Sequence, residues 1–107
     1  MPTGRLGVFA IPAAQNTTVY TVQTGLYAIC NVSIVNRNAS STINLRVAMS
    51  ASGTPNPEEW IEYDTIVIPN GVYERTGLVM QAGLNIVVYS STANVGCTVY
   101  GIETATS

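Results

Sequence analysis

Residues 42–50 read TINLRVAMS, with Ile43, Leu45, Val47 and Met49 alternating against Asn44, Arg46 and Ala48. Successive side chains of a strand point to opposite faces, so this period of two places the four apolar residues on one side and the other three on the reverse. A helix would scatter the same residues around its circumference. Upstream, residues 27–36 (YAICNVSIVN) repeat the pattern with Ala28, Cys30, Val32 and Ile34 on one face. Arg37 to Ser41 between them is a polar turn. Downstream, residues 50–58 (SASGTPNPE) hold two prolines and a glycine, which predicts an irregular loop.

The same reading extends to both ends. Strands are expected at 17–23, closed by Thr24-Gly25, and at 59–68, ended by the turn Pro69-Asn70-Gly71. Others follow at 72–80 and 84–91, linked by Gln81-Ala82-Gly83, and at 96–103 after Thr92-Ala93-Asn94. Residues 5–11 (RLGVFAI) form either an eighth strand or an extended arm, so residues 1–14 are set apart as an N-terminal arm or edge strand and 15–107 as the main domain. Thirteen valines, thirteen threonines and nine isoleucines suit pleated, half-buried surfaces. Seven or eight short strands with no helix between them predict an all-β fold, a single antiparallel β-sandwich. Jelly-roll and immunoglobulin-like windings both remain open at this level.

The inventory of reactive groups is short. Among 107 residues there is no histidine and no lysine; the cations are Arg5, Arg37, Arg46 and Arg75, and the formal charge is −2. A Ser-His-Asp triad and a Schiff-base lysine therefore have no residues to draw on, and no phosphate-binding glycine loop is present. The expectation is a protein that is not an enzyme and needs no cofactor. Four scattered arginines do not make the basic stripe that nucleic-acid phosphates require. No apolar run approaches the ~18 residues of a membrane-spanning helix, and the opening Met1-Pro2-Thr3-Gly4-Arg5 lacks the pattern of a signal peptide. Neither nucleic acid nor membrane is an expected partner.

Three features invite a site and carry a plainer reading. Glu58, Glu59, Glu62 and Asp64 crowd together, but not at calcium-loop spacing; solvated carboxylates on a strand are the simpler account. Cys30 and Cys97 flank Trp60, yet the Trp lies too far from the first Cys for an immunoglobulin core, so both are expected as small buried apolar residues. The N-x-[ST] triplets at Asn16, Asn31 and Asn38 are expected by chance in so polar a composition.

Contact residues are better candidates. If strand 59–68 keeps its parity, Trp60, Glu62 and Asp64 face outward, and Ile66 and Ile68 with them; a bulge near Asp64 would instead return the isoleucines to the core. An outward Trp60 beside Ile66 and Ile68 marks a contact surface. Leu6, Val8, Phe9 and Ile11 form a second apolar stretch, placed either on an edge or against a neighbour. Together these seven residues are the expected partner-binding set.

Three segments, RLGVFAIPAAQNTTVYTV at 5–22, ICNVSIVNRNASSTINLRVAMS at 29–50 and LNIVVYSSTANVGCTVYGIE at 84–103, resemble small virion proteins of tailed bacteriophages, including phages of cyanobacteria. The resemblance spans nearly the whole chain and consists of strand and turn patterns. It implies a β-sandwich that coats or joins parts of a particle, localised to the virion. The expected function is a capsid decoration or cement protein, a homo-oligomer such as a trimer that binds neighbouring major capsid subunits or other virion proteins. A tail, baseplate or fibre component is the alternative address. A carbohydrate- or receptor-binding module, with Tyr27, Tyr73, Tyr89 or Trp60 as stacking platforms, is the alternative of a different kind.

Overall fold

Eight strands make up the fold in the computed structural model, which describes residues 3–105. They are β1 (Thr3–Ile11), β2 (Thr17–Thr21), β3 (Leu26–Asn36), β4 (Ile43–Ser50), β5 (Trp60–Val67), β6 (Val72–Met80), β7 (Asn85–Ser90) and β8 (Val95–Ala105). A single 3-10 turn, Pro57–Glu59, precedes β5. The strands form two antiparallel four-stranded sheets, ordered β1-β8-β3-β6 and β2-β7-β4-β5. The chain is therefore the expected β-sandwich.

Its winding follows from the pairs. Strands β1 and β8, β2 and β7, β3 and β6, and β4 and β5 each pair antiparallel, as if one long hairpin had been rolled up. Two further pairings, β3 with β8 and β4 with β7, close the sheets. This is the eight-stranded jelly roll; the immunoglobulin-like alternative is set aside by the strand order. The cysteines agree: they lie in one sheet, where Ile34 faces Cys97 and Cys30 faces Gly101, and do not bridge two sheets.

Of the two alternatives for the N-terminal stretch, β1 takes the edge strand. β1 pairs with β8 along its length as an edge strand, and Ala14 donates its backbone N–H to Ser90 across to the other sheet. Ile11 is a core residue, 2% exposed, which removes it from the expected contact set.

The interior is a single apolar layer. Ala28, Cys30, Val32 and Ile34 of β3 face Ile43, Leu45 and Val47 of β4, with Ile86, Val88, Val95 and Val99 beside them, all fully buried. Each of the valines, leucines and isoleucines among them contributes roughly 1.5–3 kcal/mol relative to exposure. One end of the layer is closed by a polar residue that the sequence reading did not single out. Asn36 is buried; its amide nitrogen lies 2.9–3.1 Å from the carbonyls of Ser41, Val67 and Ile68, and its oxygen accepts from the Asn38 backbone. One side chain thus ties the β3–β4 loop to the end of β5 and the turn that follows it.

Two glycines permit backbone contact that any side chain would block. A Cβ on Gly7 of β1 would sit 2.5 Å from the Val19 carbonyl oxygen of β2, where the two sheets pinch together. A Cβ on Gly101, at φ +155°, would overlap the Ile29 carbonyl of the neighbouring strand. Backbone cannot retreat cheaply from such an overlap. Gly7→Ala and Gly101→Ala are each expected to destabilise the fold by about 3 kcal/mol in thermal or urea melts. Gly96→Ala, where a Cβ meets nothing within 4 Å, is expected to be neutral or slightly stabilising.

Candidate binding site on an outer sheet face

The phase of β5 decides what faces outward. Opposite β4 its register slips twice: Leu45 faces Thr65 but Val47 faces Glu62, and Ala48 faces Trp60. Each slip is a one-residue bulge, the first around Tyr63 and Asp64, the second at Ile61. Asp64 takes φ +56° there, a left-handed conformation that Asp tolerates better than most residues. The two bulges cancel in phase. Trp60 and Ile66 consequently share the outer face, and Ile66 and Ile68 are 67% and 66% exposed, while Val67 is buried. The bulge near Asp64 exists, yet it does not return the isoleucines to the core.

The acids between them depart from simple alternation. Glu62 turns inward at the open side of the sandwich, where its carboxylate lies 2.7 Å from Arg75 of β6 and accepts from the Thr65 hydroxyl at 2.6 Å. The Thr65 hydroxyl, then Tyr73 and Arg75, hold its carboxyl below the usual range against an opposing burial effect. This pair joins the edges of the two sheets. Asp64 stays outside and pairs with Arg46 at 2.7 Å. Glu59 bonds elsewhere again, so Glu59, Glu62 and Asp64 turn to separate partners.

Glu59 shapes the site. One carboxylate oxygen accepts from the Ser50 hydroxyl at 2.9 Å and the Asn56 backbone at 2.8 Å, and the other accepts from the Ala51 backbone at 3.1 Å. These bonds, the Asn56 one first, depress its pKa. They cinch the 50–59 loop into a closed ring that folds back over the outer face of β2-β7-β4-β5. A Cβ at Gly53 would lie 3.6 Å from the Thr18 hydroxyl of β2, so the loop crosses above β4 and β7. Ala48 and Val87, which point to the outer face, are fully buried under it.

At the loop's exposed margin Pro55, Pro57, Trp60 and Tyr63 line an open pocket of about 370 Å³. The Trp60 and Tyr63 rings meet edge to face, 5.7 Å apart at 71°. The Arg46 guanidinium lies 4.1 Å from the centre of the Tyr63 ring and 4.7 Å from that of Tyr89, continuing the stack across three strands. Tyr89 is therefore part of a platform, already covered by Arg46. Tyr73 is not one: it packs inward against the core with its hydroxyl buried. Tyr27 is exposed on the opposite sheet.

The other expected contacts are divided. Val8 and Phe9 are exposed on edge strand β1, and Leu6 is half-buried against the core. They border a groove of about 440 Å³ between β1 and β2, with buried Glu103 accepting a hydrogen bond from Tyr20 at its floor. This groove and the Trp60 pocket are separate surfaces. A third surface was not anticipated: Val79, Ile29 and Ile102 stand side by side on the outer face of β1-β8-β3-β6, on adjacent strands, at 67%, 47% and 54% exposure. Period-two parity on residues 27–36 already places Ile29 opposite the core, but its cross-strand neighbours depend on register.

Compared with known protein families, with characterised proteins and with solved structures, the chain matches none.

Both cysteines are buried, as expected, and burial pushes the Cys30 thiol up to about 11 and the Cys97 thiol up to about 12. Neither thiol forms an appreciable thiolate near neutrality. Iodoacetamide at about pH 8 is expected to leave the native protein unmodified and to alkylate both cysteines once denaturant is added; mass spectrometry reads the result. Acid acts on the loop. With the Glu59 carboxyl depressed in the folded state, its contribution to loop closure is complete above the ordinary carboxylate range and disappears as pH falls through the folded value. Trp60 emission is expected to shift to the red below about pH 4. Glu59→Ala should show that shift already at neutral pH and lose the acid step.

Proposed function

We propose that this chain is a non-enzymatic structural protein of a tailed-phage particle, acting as a capsid decoration protein that self-associates and binds neighbouring major capsid subunits. The observation that carries the reading is the row Ile29, Val79 and Ile102 across one outer sheet face. Three branched apolar side chains on adjacent strands form a flat, uncharged strip whose burial against a neighbour requires no ion to be desolvated. The pattern resemblance over residues 5–22, 29–50 and 84–103 supplies the setting. The eight-stranded jelly roll is an architecture that viral coat proteins also use, a likeness at the level of fold alone.

The mechanism is mechanical. A subunit bound only to the assembled shell stabilises that shell by linkage, and the contribution repeats at every copy. An interface of standard size buries about 1,600 Å² in total, of which the Ile29 strip would form the apolar centre.

The double variant Ile29→Asp, Val79→Asp tests the reading, because both side chains are exposed and the monomer should melt within a few degrees of the parent. Light scattering after size exclusion is expected to show a smaller species, and particles grown with the variant should lack it and break at lower temperature. Unchanged oligomeric state and unchanged occupancy on the particle would exclude this face as the contact.

A further inference from the structure

The pocket beside Trp60 has a chemistry of its own, different from that of the Ile29 strip on the other sheet. Its walls are four flat, rigid groups: the indole, the phenol set nearly perpendicular to it, and the rings of Pro55 and Pro57. Among the described residues no charged side chain lines it, and the Arg46 and Asp64 charges next to Tyr63 neutralise each other at 2.7 Å. The loop that carries the prolines is held by three hydrogen bonds to Glu59, so the opening exists before any ligand arrives.

Two polar tips remain unused. Neither the indole N–H of Trp60 nor the hydroxyl of Tyr63 hydrogen-bonds to another described residue. An apolar surface with a few convergent donors is the common form of a small-molecule site, and about 370 Å³ lies at the small end of such sites, roughly 300–1,000 Å³. The electron-rich face of an aromatic ring attracts weakly positive C–H groups. A pyranose presents such groups on its flat faces and hydroxyls around its rim.

We propose that the Pro55–Pro57–Trp60–Tyr63 pocket binds a neutral pyranose unit of a glycan. One sugar face stacks on an aromatic ring, and rim hydroxyls meet the Trp60 N–H and the Tyr63 hydroxyl. A charged sugar finds no counter-charge free to receive it. A proline-rich peptide, the other ligand that favours aromatic walls, needs a run of ridges for its own prolines to enter; here the chain's Pro55 and Pro57 already form the facing wall. The site goes beyond the assembly role. It lies on the opposite sheet from the strip that carries that role, so either can fail alone.

Trp60 is the chain's single tryptophan and reports directly on the pocket. The free protein is titrated with maltohexaose, cellopentaose, chitotetraose and xylohexaose, with oligogalacturonate and decaproline as contrasts. At least one neutral sugar is expected to change Trp60 emission saturably, with a Kd of about 1 mM or tighter. By calorimetry Tyr63→Ala should weaken binding at least tenfold and Tyr63→Phe by less, while Tyr27→Ala on the other sheet leaves it unchanged. Each variant is first checked for an unaltered melt. Silence from all four neutral sugars up to about 10 mM, binding of decaproline or oligogalacturonate in their place, or binding that survives Tyr63→Ala overturns the proposal.

Discussion

The inward side chains of two four-stranded sheets must fill one dry layer between them, and the remaining features of the molecule accommodate that demand. The layer tolerates no free charge. Arginines and acids therefore pair at its open margin, as Glu62 does with Arg75, or stand on an outer face, as Arg46 does with Asp64. Two buried polar side chains carry hydrogen-bond partners: Asn36 binds loop carbonyls at one end and Glu103 receives the Tyr20 hydroxyl. Such exposed ion pairs contribute little to stability individually, about 1 kcal/mol or less; their value here is positional.

Strand β5 shows how that demand and local chemistry are reconciled. A regular strand from Trp60 to Val67 would place Glu62 on the outer face and Tyr63 in the core. Two bulges instead aim Tyr63 outward beside Trp60, turn Glu62 toward Arg75 and still leave Val67 facing inward. The aromatic pair is a product of irregular backbone. Glu59, immediately before the strand, then uses its carboxylate to fold the 50–59 loop over that face, which buries Ala48 and Val87 and sets the prolines against the rings. A core-facing requirement and a loop-closing carboxylate together build a pocket that neither produces alone.

The two outer sheet faces consequently differ. One is flat and carries the unshielded strip Ile29, Val79 and Ile102; the other is partly roofed and carries a cleft lined by rings. A flat apolar strip suits a protein neighbour, whereas a cleft of this size suits a single compact group. A small sandwich has room for both because its faces are independent surfaces separated by the core.

Much of this was legible in the residues. Period-two alternation located seven of the eight strands within a few residues, left β1 open between strand and arm, and identified the inward faces of β3 and β4 correctly, since a strand's faces depend only on local backbone geometry. The inward cysteines and the loop at 50–58 were readable for the same reason, from composition and punctuation. The tertiary structure alone decided the jelly-roll order, the phase of β5, the burial of Ile11 and Ala48 and the meeting of Ile29 with Val79 and Ile102. Each of these depends on which distant segment lies alongside, and register between strands tens of residues apart is selected by packing over the whole sandwich, not by the few residues that any local pattern contains.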